Sequence, residues 1–206
     1  MGEKIAGFIL AGGRSQRMGS DKSLRLLAGK PLIAHVEARL APQVDLLAIN
    51  ANGGAQGIRL PDIEIVPDTI PDFAGPLAGI LAGMIWAKRA GFEQLATVPT
   101  DSPFFPHTLV ERLSEVGEAG TIAVASCVGK AHPVFALWPV NLADSVAAFL
   151  NSGAKASVMA FVTSRPHCFA AFDPIAYESQ ELDPFFNINT PADLDKAESM
   201  ALELLA

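Results

Sequence analysis

The sequence has few cysteines, and they are not spaced as metal ligands. Its 206 residues include two, Cys127 and Cys168, which lie far apart in the chain. This pattern does not indicate a cysteine-ligated metal, and nothing in the sequence requires an oxidising compartment. We expect two buried or partly buried thiols, the usual state of free cysteine.

The sequence also lacks an excess of positive charge and a long apolar run. Lysine and arginine number 15 against 22 acidic residues, which gives a net charge of −7. This charge repels polyanions and disfavours non-specific binding to nucleic acid or an anionic membrane. The apolar run near the N-terminus is too short to span a bilayer, and cations follow it, whereas in a signal peptide they precede it. We therefore expect a cytoplasmic enzyme or binding protein.

Apolar runs alternate with helical patterns along the chain. Several runs are apolar at consecutive positions, as strands covered on both faces must be. The predicted strands are 4–12, 44–50, 63–67, 94–99, 121–128 and 131–139, and the predicted helices are 76–90, 141–150 and 189–205. The alternation predicts an α/β fold, a doubly wound and mostly parallel sheet flanked by helices, in a single domain spanning 1–206. Because a short Gly-Lys turn joins the last two strands, we expect an antiparallel pair there and a mixed sheet.

Two of the predicted helices carry local signals. Leu77, Ile80, Leu81, Met84 and Ile85 form a one-sided apolar stripe in the helix at 76–90. In the C-terminal helix, Thr190 is a candidate N-cap, Pro191 occupies the first helical position, and Asp193 stands where the acid of a capping box would be.

A glycine-flanked loop after the first strand concentrates positive charge. Five of the 15 cations, Arg14, Arg17, Lys22, Arg25 and Lys30, fall between residues 14 and 30. Gly12 and Gly13 allow the backbone to approach a ligand closely, and amides and cations together bind polyphosphate. In an open α/β sheet, ligands bind beyond the carboxyl ends of the strands, which is where this loop lies.

The loop does not match two familiar phosphate motifs. A Walker A loop needs G-x-x-x-x-G-K-[ST] and a dinucleotide fingerprint needs G-x-G-x-x-G, and the spacing here satisfies neither. A solvated basic turn is the alternative interpretation, but the coincidence of glycines, cations and a strand end favours a polyphosphate site.

Two acids follow predicted strands and are candidate metal ligands. Asp68 and Asp101 should project over the same sheet edge as the glycine loop, and Mg²⁺ prefers carboxylates together with substrate phosphates. Asp101 is the preferred metal ligand, whereas Asp68 serves equally well as a cap of the next turn. Asp21, inside the basic loop, is better explained as a salt-bridge partner of an arginine. Gly79 and Gly83 leave one helix face without bulk, either for close helix–sheet packing or as room for a nucleoside.

Several segments in order resemble the molybdenum cofactor guanylyltransferases, members of the MobA-like nucleotidyltransferase family. LAGGRSQRMGSDK (10–22) is similar to the family signature LAGGxSxRMGxDK. Further matches are Asn50-Ala51-Asn52, Asp68 with GPLAGI (75–80), VPTDSPF (98–104), AHPVFAL (131–137) and FFNINTPADL (185–194). The resemblance spans nearly the whole chain. It implies a Rossmann-like nucleotidyltransferase fold that transfers GMP from GTP to molybdopterin or Mo-molybdopterin and releases pyrophosphate. It also implies, as further partners, other cofactor-biosynthesis proteins or a molybdoenzyme chaperone.

The resemblance assigns roles to individual residues. It implies that Arg17 holds the polyphosphate and that Asp101 binds Mg²⁺ and the phosphates. It also implies that Asn187 and Asn189 lie near the pterin. The implied nucleotide contacts are Leu10, Ala11, Gly12, Gly13, Lys22, Asn50 and Asp68. Arg17, Lys22 and Asp101 are the catalytic candidates. His132 has two interpretations that remain open, a site residue or a hydrogen-bonded strand histidine.

Some details depart from the family and leave alternatives. Gly19-Ser20-Asp21-Lys22 is more compact than many members, and Thr100-Asp101-Ser102 replaces the usual neighbours of the acid. The nearest alternative is a nucleotidyltransferase that uses CTP or a sugar or alcohol phosphate; a GTP-binding regulatory module without chemistry is another. Related cytidylyltransferases carry AAG where this chain has AGG. An alanine at position 12 would occupy space that a purine needs, so glycine favours guanine.

Overall fold

The computed structural model describes residues 4–11, 25–52, 63–70, 75–152, 157–178 and 180–204. In chain order the elements are β1 (Ile5–Leu10), β2 (Leu26–Leu27), β3 (Lys30–Pro31), α1 (Leu32–Leu40), β4 (Leu46–Asn50), β5 (Glu64–Val66), α2 (Pro76–Arg89), β6 (Gln94–Pro99), α3 (Leu109–Val116), β7 (Ile122–Cys127), β8 (Lys130–Pro139), α4 (Ala143–Asn151), α5 (Val158–Thr163), β9 (His167–Phe172), β10 (Ile175–Tyr177), β11 (Gln180–Leu182) and α6 (Pro191–Leu204). Short 3-10 helices at Ala41–Gln43 and Val140–Leu142 precede β4 and α4.

A mixed sheet organises the described part of the chain. Seven strands lie in the order β5-β4-β1-β6-β8-β7-β9. β8 runs antiparallel to both of its neighbours, and the other pairs are parallel. The prediction of a mostly parallel, mixed sheet is confirmed.

Helices cover both faces of this sheet, as a doubly wound fold requires. Along β1, Phe8 faces the core under α2, α4 and α5, whereas Ile9 faces the core under α1 and α3. Successive strand side chains point to opposite faces, so a strand apolar at every position serves two cores. A third apolar cluster joins α6 to β2 and the start of α1. Within the described residues, no helix has the length and apolar character needed to cross a bilayer.

The predicted Gly-Lys turn lies one residue earlier than expected. The ladder pairs Cys127 with Lys130, so Val128 and Gly129 form the turn. Their φ angles are 47° and 75°. Positive φ at both central residues is the pattern of a type I′ hairpin turn, which matches the strand twist, and Val128 adopts it with its side chain 81% exposed.

The local signals of α2 and α6 have different outcomes. On α2, Leu77, Ile80, Leu81 and Met84 are buried and Ile85 is half-buried, but the residues between them from Ala78 to Gly83 are buried as well, so the helix is covered on more than the predicted face. At α6, the Asp193 amide donates to Thr190 Oγ1 over 3.1 Å, and the Thr190 amide donates back to Asp193 Oδ2 over 2.8 Å. This reciprocal pair is the predicted capping box. These hydrogen bonds are the main reason why the pKa of Asp193 is lowered.

Both cysteines are free thiols, as expected. Cys127 is buried and Cys168 is half-buried. Burial raises the pKa of each thiol. The two cysteines lie on the neighbouring strands β7 and β9 but are not paired with each other. Cys168 is opposite Ala123, and Cys127 is opposite Phe172.

Candidate nucleotide site

The carboxyl ends of four parallel strands meet at one edge of the sheet. Here the ladder continues one residue past the strands, because the Ala11 amide donates to the Asn50 carbonyl over 3.0 Å and the Thr100 amide donates to the Leu10 carbonyl over 3.2 Å. Asp101 follows Thr100 directly. The edge therefore brings together Leu10, Ala11, Asn50 and the strand that delivers Asp101, as expected from their positions at the ends of the predicted strands.

The glycine loop begins at this edge. Ala11 is the last described residue before it, and Gly12, Gly13, Arg14, Arg17, Asp21 and Lys22 lie outside the described residues. The chain is described again from Arg25, whose carbonyl accepts a hydrogen bond from the Leu32 amide over 2.8 Å. The loop thus starts on a strand about 5 Å from the one that leads to Asp101, the spacing of adjacent strands.

Asp68 is held by two asparagine side chains. Asn50 Nδ2 donates to Asp68 Oδ1 over 2.9 Å and to the Val66 carbonyl over 3.1 Å. Asn52 Nδ2 donates to Asp68 Oδ2, and the Asp68 amide donates back to Asn52 Oδ1 over 2.8 Å. Within the described residues, the side-chain partners of Asp68 come from the end of β4. An acid that merely caps the turn after it would instead bond to the amides of that turn. The network fixes the plane of a half-buried carboxylate at the sheet edge.

Gly79 brings helix α2 against this network. An added Cβ at Gly79 would lie 2.5 Å from Asn50 Oδ1 and 2.8 Å from Leu10 Cδ2. At Gly83, one turn later, it would lie 2.6 Å from Phe8 Cδ1. Both spaces are filled by protein side chains, so the structure supports the packing interpretation of these glycines. The alternative, a gap for a nucleoside at these two positions, is wrong.

Asp101 lies beside the segment that precedes α6. Its backbone carbonyl accepts a hydrogen bond from the Ile188 amide over 2.8 Å. The next residue, Ser102, is fully buried, and its hydroxyl donates to Asn187 Oδ1 over 3.0 Å. The structure thus brings Asn187 beside Asp101, although the two residues come from distant parts of the sequence.

Asn189 lies two residues farther along, at the start of the capping box. Its amide donates to Asp193 Oδ2 over 3.0 Å, and its side chain is exposed. Asn189 therefore belongs to the same segment as Asn187, but its amide is held by the capping box of α6.

The donors around Asp101 suit a hard divalent cation. A half-buried carboxylate, the Ser102 hydroxyl 3.5 Å from Asp101 Oδ1, and the Asn187 amide are all oxygen-bearing groups. Among the described residues, no group of three or more histidine, cysteine or acidic side chains is arranged to hold a metal. Mg²⁺ is commonly held by one or two carboxylates plus substrate phosphates, so this donor set fits an ion that enters with a nucleotide.

His132 is a buried residue of β8, opposite Ala125 of β7. It is 8% exposed, and its ring lies 4.8 Å from the Phe185 ring, centre to centre. Its Nε2 lies 3.1 Å from Asp183 Oδ2 but makes no well-formed hydrogen bond to it. Desolvation lowers the pKa of His132, and the Asp183 carboxylate opposes this effect. The structure thus places it as a strand histidine that faces an acid.

Sequence reasoning gave no role to Asn52, Ser102 or Asp183. Both Asn52 and Ser102 lie within matched segments, and the position of Ser102 directly after Asp101 was a usable signal, whereas the contact of Asn52 with Asp68 spans 16 residues. Asp183 precedes a proline and a pair of phenylalanines, and its Oδ1 accepts from the Phe185 amide over 2.9 Å. That local turn is typical of aspartate, but its contact with His132 depends on tertiary packing.

Comparison with known proteins places the chain among nucleotidyltransferases. The family model for the MobA-like NTP transferase domain matches residues 7–167. A molybdenum cofactor guanylyltransferase of Rhizobium meliloti (strain 1021) is 45% identical over 194 residues, which are 93% of this chain and 89% of that protein. One of Rhizobium leguminosarum bv. trifolii (strain WSM2304) is 44% identical over 197 residues, 95% of this chain and 92% of that protein.

Solved structures share the fold. Molybdopterin-guanine dinucleotide biosynthesis protein A of Archaeoglobus fulgidus superposes with a TM-score of 0.74 at 24% identity, covering 96% of this chain and 99% of that one. The Rv0371C protein of Mycobacterium tuberculosis H37Rv, in complex with manganese, gives a TM-score of 0.68 at 17% identity, covering 97% and 100% of the two chains. At these identities the likeness concerns architecture.

Proposed function

The chain belongs to the MobA-like NTP transferase domain family, and from this premise we propose that it is a molybdenum cofactor guanylyltransferase. It transfers GMP from GTP to the terminal phosphate of molybdopterin and releases pyrophosphate. Transfer to a molybdopterin that already carries molybdenum is the same chemistry at the same phosphate.

One observation carries the proposal most directly. The strand that enters the glycine loop and the strand that delivers Asp101 are hydrogen-bonded neighbours, joined at their ends by the Thr100 amide and the Leu10 carbonyl. The cation-rich segment of the sequence therefore begins one strand away from an acid suited to a divalent ion. Such an arrangement suits a nucleoside triphosphate, whose phosphates need both.

The two acids at the edge serve different parts of the nucleotide. Asp68 follows β5 and Asp101 follows β6, and two strands lie between these elements. At the usual strand spacing the two positions are about 14 Å apart, too far to share one ion. We assign Asp68 and Asn50 to the nucleoside, together with backbone groups of Leu10, Ala11 and the glycines. We assign Asp101 to the phosphates.

The transfer needs no general base on the protein. An acceptor phosphate monoester has a second pKa of about 6, so its oxygen is already anionic near neutral pH. A new bond forms from that oxygen to the α-phosphorus of GTP, the α–β bridging bond breaks, and the electron pair leaves with pyrophosphate. The obstacle is repulsion between two polyanions and their alignment, so the site acts by neutralising charge and positioning the reactants.

The charged residues divide this work. Arg17 and Lys22 stabilise the phosphates and the departing pyrophosphate through charge-assisted hydrogen bonds. Asp101 would hold Mg²⁺, which supplies charge neutralisation at the phosphoryl oxygens when bound. Asn187 and Asn189 face the acceptor side, because their loop packs on Asp101 and Ser102.

The test follows pyrophosphate release from purified protein with each nucleoside triphosphate, Mg²⁺ and candidate acceptors. We expect release with GTP plus molybdopterin. Asp101→Ala should lower that rate about 10²–10³-fold, the usual cost of losing one electrostatic group in a site. Asp173→Ala is the matched control: this exposed acid follows β9 at the same sheet edge, but about 14 Å from β6 at the usual strand spacing.

Three outcomes would contradict the proposal. Release only with CTP and a sugar or alcohol phosphate would make the protein a different nucleotidyltransferase. Binding of GTP without turnover would make it a regulatory module. Wild-type turnover in Asp101→Ala would remove the assignment of the metal to that acid.

A further inference from the structure

His132 and Asp183 connect the β7–β8 hairpin to the segment that precedes α6. We call residues 183–190 the 183–190 loop. Asp183 starts this loop, and its Oδ2 lies 3.1 Å from His132 Nε2 and 3.0 Å from Lys130 Nζ. Lys130 is 68% exposed, so its ion pair is worth little, whereas the contact with His132 is buried on the histidine side.

Asp183 also shapes the loop from within. Its Oδ1 accepts from the Phe185 amide over 2.9 Å, and its backbone carbonyl accepts from the Phe186 amide over 3.1 Å. The Phe185 ring then packs 4.8 Å from both the His132 and Phe135 rings, centre to centre. One end of the loop is therefore fixed on β8 by a carboxylate and an aromatic ring.

The other end of the loop reaches the candidate site. The Ile188 amide donates to the Asp101 carbonyl, and Asn187 Oδ1 accepts from the Ser102 hydroxyl. Three residues separate Asp183 from Asn187, so we expect a shift of Asp183 to move Asn187 as well. The position of Asn187 beside Asp101 thus depends on both ends.

Packing alone does not account for an imidazole at this position. The neighbours of the ring include Phe135 and Phe185, and a phenylalanine would fill much the same space. A buried ring nitrogen without a well-formed hydrogen bond costs free energy, and burial lowers the pKa of His132 for the same reason. The imidazole contributes what a phenyl ring does not: a polar edge that faces Asp183.

We propose that His132 is a positioning residue, which through Asp183 sets the 183–190 loop so that Asn187 meets the acceptor substrate. This inference rests on the proposed function for the identity of the acceptor. It predicts a defect confined to one substrate, because the contacts of Asn50 and Asp68 at the nucleoside side do not involve the loop.

The experiment compares steady-state kinetics of His132→Phe with those of the wild-type enzyme. We expect the KM for molybdopterin to rise about 10-fold, while kcat and the KM for GTP change less than about 2-fold; the 10-fold change equals about 1.4 kcal/mol of binding free energy. Asp183→Asn should give the same pattern. His132→Gln, whose amide again presents a polar edge toward Asp183, should recover much of the loss.

Trp138→Phe is the matched control for a merely structural effect. Trp138 lies on the same strand, is fully buried, and donates from Nε1 to Thr97 Oγ1 over 2.9 Å. Its loss should lower the free energy of unfolding without raising the KM for molybdopterin selectively. An equal rise of both KM values in His132→Phe, or a selective rise in Trp138→Phe, would overturn the proposal.

A second readout separates this inference from the proposed function. Hydrogen exchange of the Ile188 amide, followed by NMR, should be faster in His132→Phe than in the wild type, and unchanged exchange would overturn the positioning role. Faster exchange with an unaltered KM for molybdopterin would overturn the link to the acceptor. If the wild-type protein transfers no GMP, the proposed function fails, and the exchange rate still decides whether His132 orders the loop.

Discussion

The contact between Gly79 and Asn50 allows a sharp test of the nucleoside side of the site. In Gly79→Ala, the new Cβ would lie 2.5 Å from Asn50 Oδ1, so the carboxamide must move. Asn50 is 2% exposed and has little room to move without breaking its hydrogen bonds to the Val66 carbonyl and Asp68 Oδ1. The substitution therefore disturbs the hydrogen bond that holds the Asp68 carboxylate, although the new methyl group contacts Asn50.

Gly83→Ala is the matched control, because it has the same chemistry on the same helix face. Each alanine gains about 1 kcal/mol of helix propensity and loses about 1–3 kcal/mol to overpacking. At Gly83 the contact is the Phe8 ring, 2.6 Å away, and no polar group is involved. At Gly79 the loss of a hydrogen bond to a carboxylate adds about 1.5–3 kcal/mol.

We therefore expect Gly79→Ala to be less stable than Gly83→Ala by about 2 kcal/mol in urea unfolding, the middle of that hydrogen-bond range. Titration calorimetry should show GTP binding weakened about 10-fold in Gly79→Ala, equivalent to about 1.4 kcal/mol. In Gly83→Ala the affinity should stay within about 2-fold, well under 1 kcal/mol. Equal weakening in both folded variants, or none in Gly79→Ala, would refute the argument that α2 positions Asp68 through Asn50.

The other predictions concern separate parts of the molecule. Thr190→Ala removes the N-cap of α6 and should cost about 1 kcal/mol in urea unfolding, whereas Thr190→Ser should cost little. Burial lowers the pKa of His132, so below pH 6.5 the unfolded chain takes up a proton that the folded chain excludes; the free energy of unfolding should fall there, less steeply in His132→Gln. Gly12→Ala should weaken GTP use relative to CTP, and an unchanged preference would contradict the steric argument. Arg17→Ala should lower GMP transfer about 10²–10³-fold with the fold intact, as circular dichroism would check.

The sequence predicted the edge of the sheet because that edge follows from local patterns. Parallel strands end on the same side, so Asn50 at the end of one predicted strand should lie near Asp68 and Asp101, which directly follow two others. The capping box at Thr190 and Asp193 was equally local. Helix α1 was missed although Leu32, Val36 and Leu40 recur at helical spacing and are all buried.

What the sequence did not predict depends on pairing between distant segments. Strand β9 (His167–Phe172) has β7 as its partner in the sheet and shows no clean alternation that would mark it. The turn at Val128 was misplaced because strand twist, set by both strands, overrides the reluctance of valine to adopt positive φ. The contact of His132 with Asp183 likewise exists only once β8 and the chain after β11 are both in place.

One part of the candidate site follows from local sequence patterns, and the other depends on contacts between distant segments. The proposed nucleoside side consists of the ends of the neighbouring strands β1, β4 and β5, and hydrogen bonds among Asn50, Asn52 and Asp68 fix it. The proposed acceptor side is a loop from the far end of the chain, attached through Ile188, Asn187 and Asp183. Because the two sets of contacts share no residue, free-energy changes in one should add to changes in the other. For each substrate, the loss of binding in the double variant Gly79→Ala with His132→Phe should therefore equal the product of the fold-changes in the two single variants. A loss of GTP or molybdopterin binding well above that product would show that the loop and the nucleoside network are coupled.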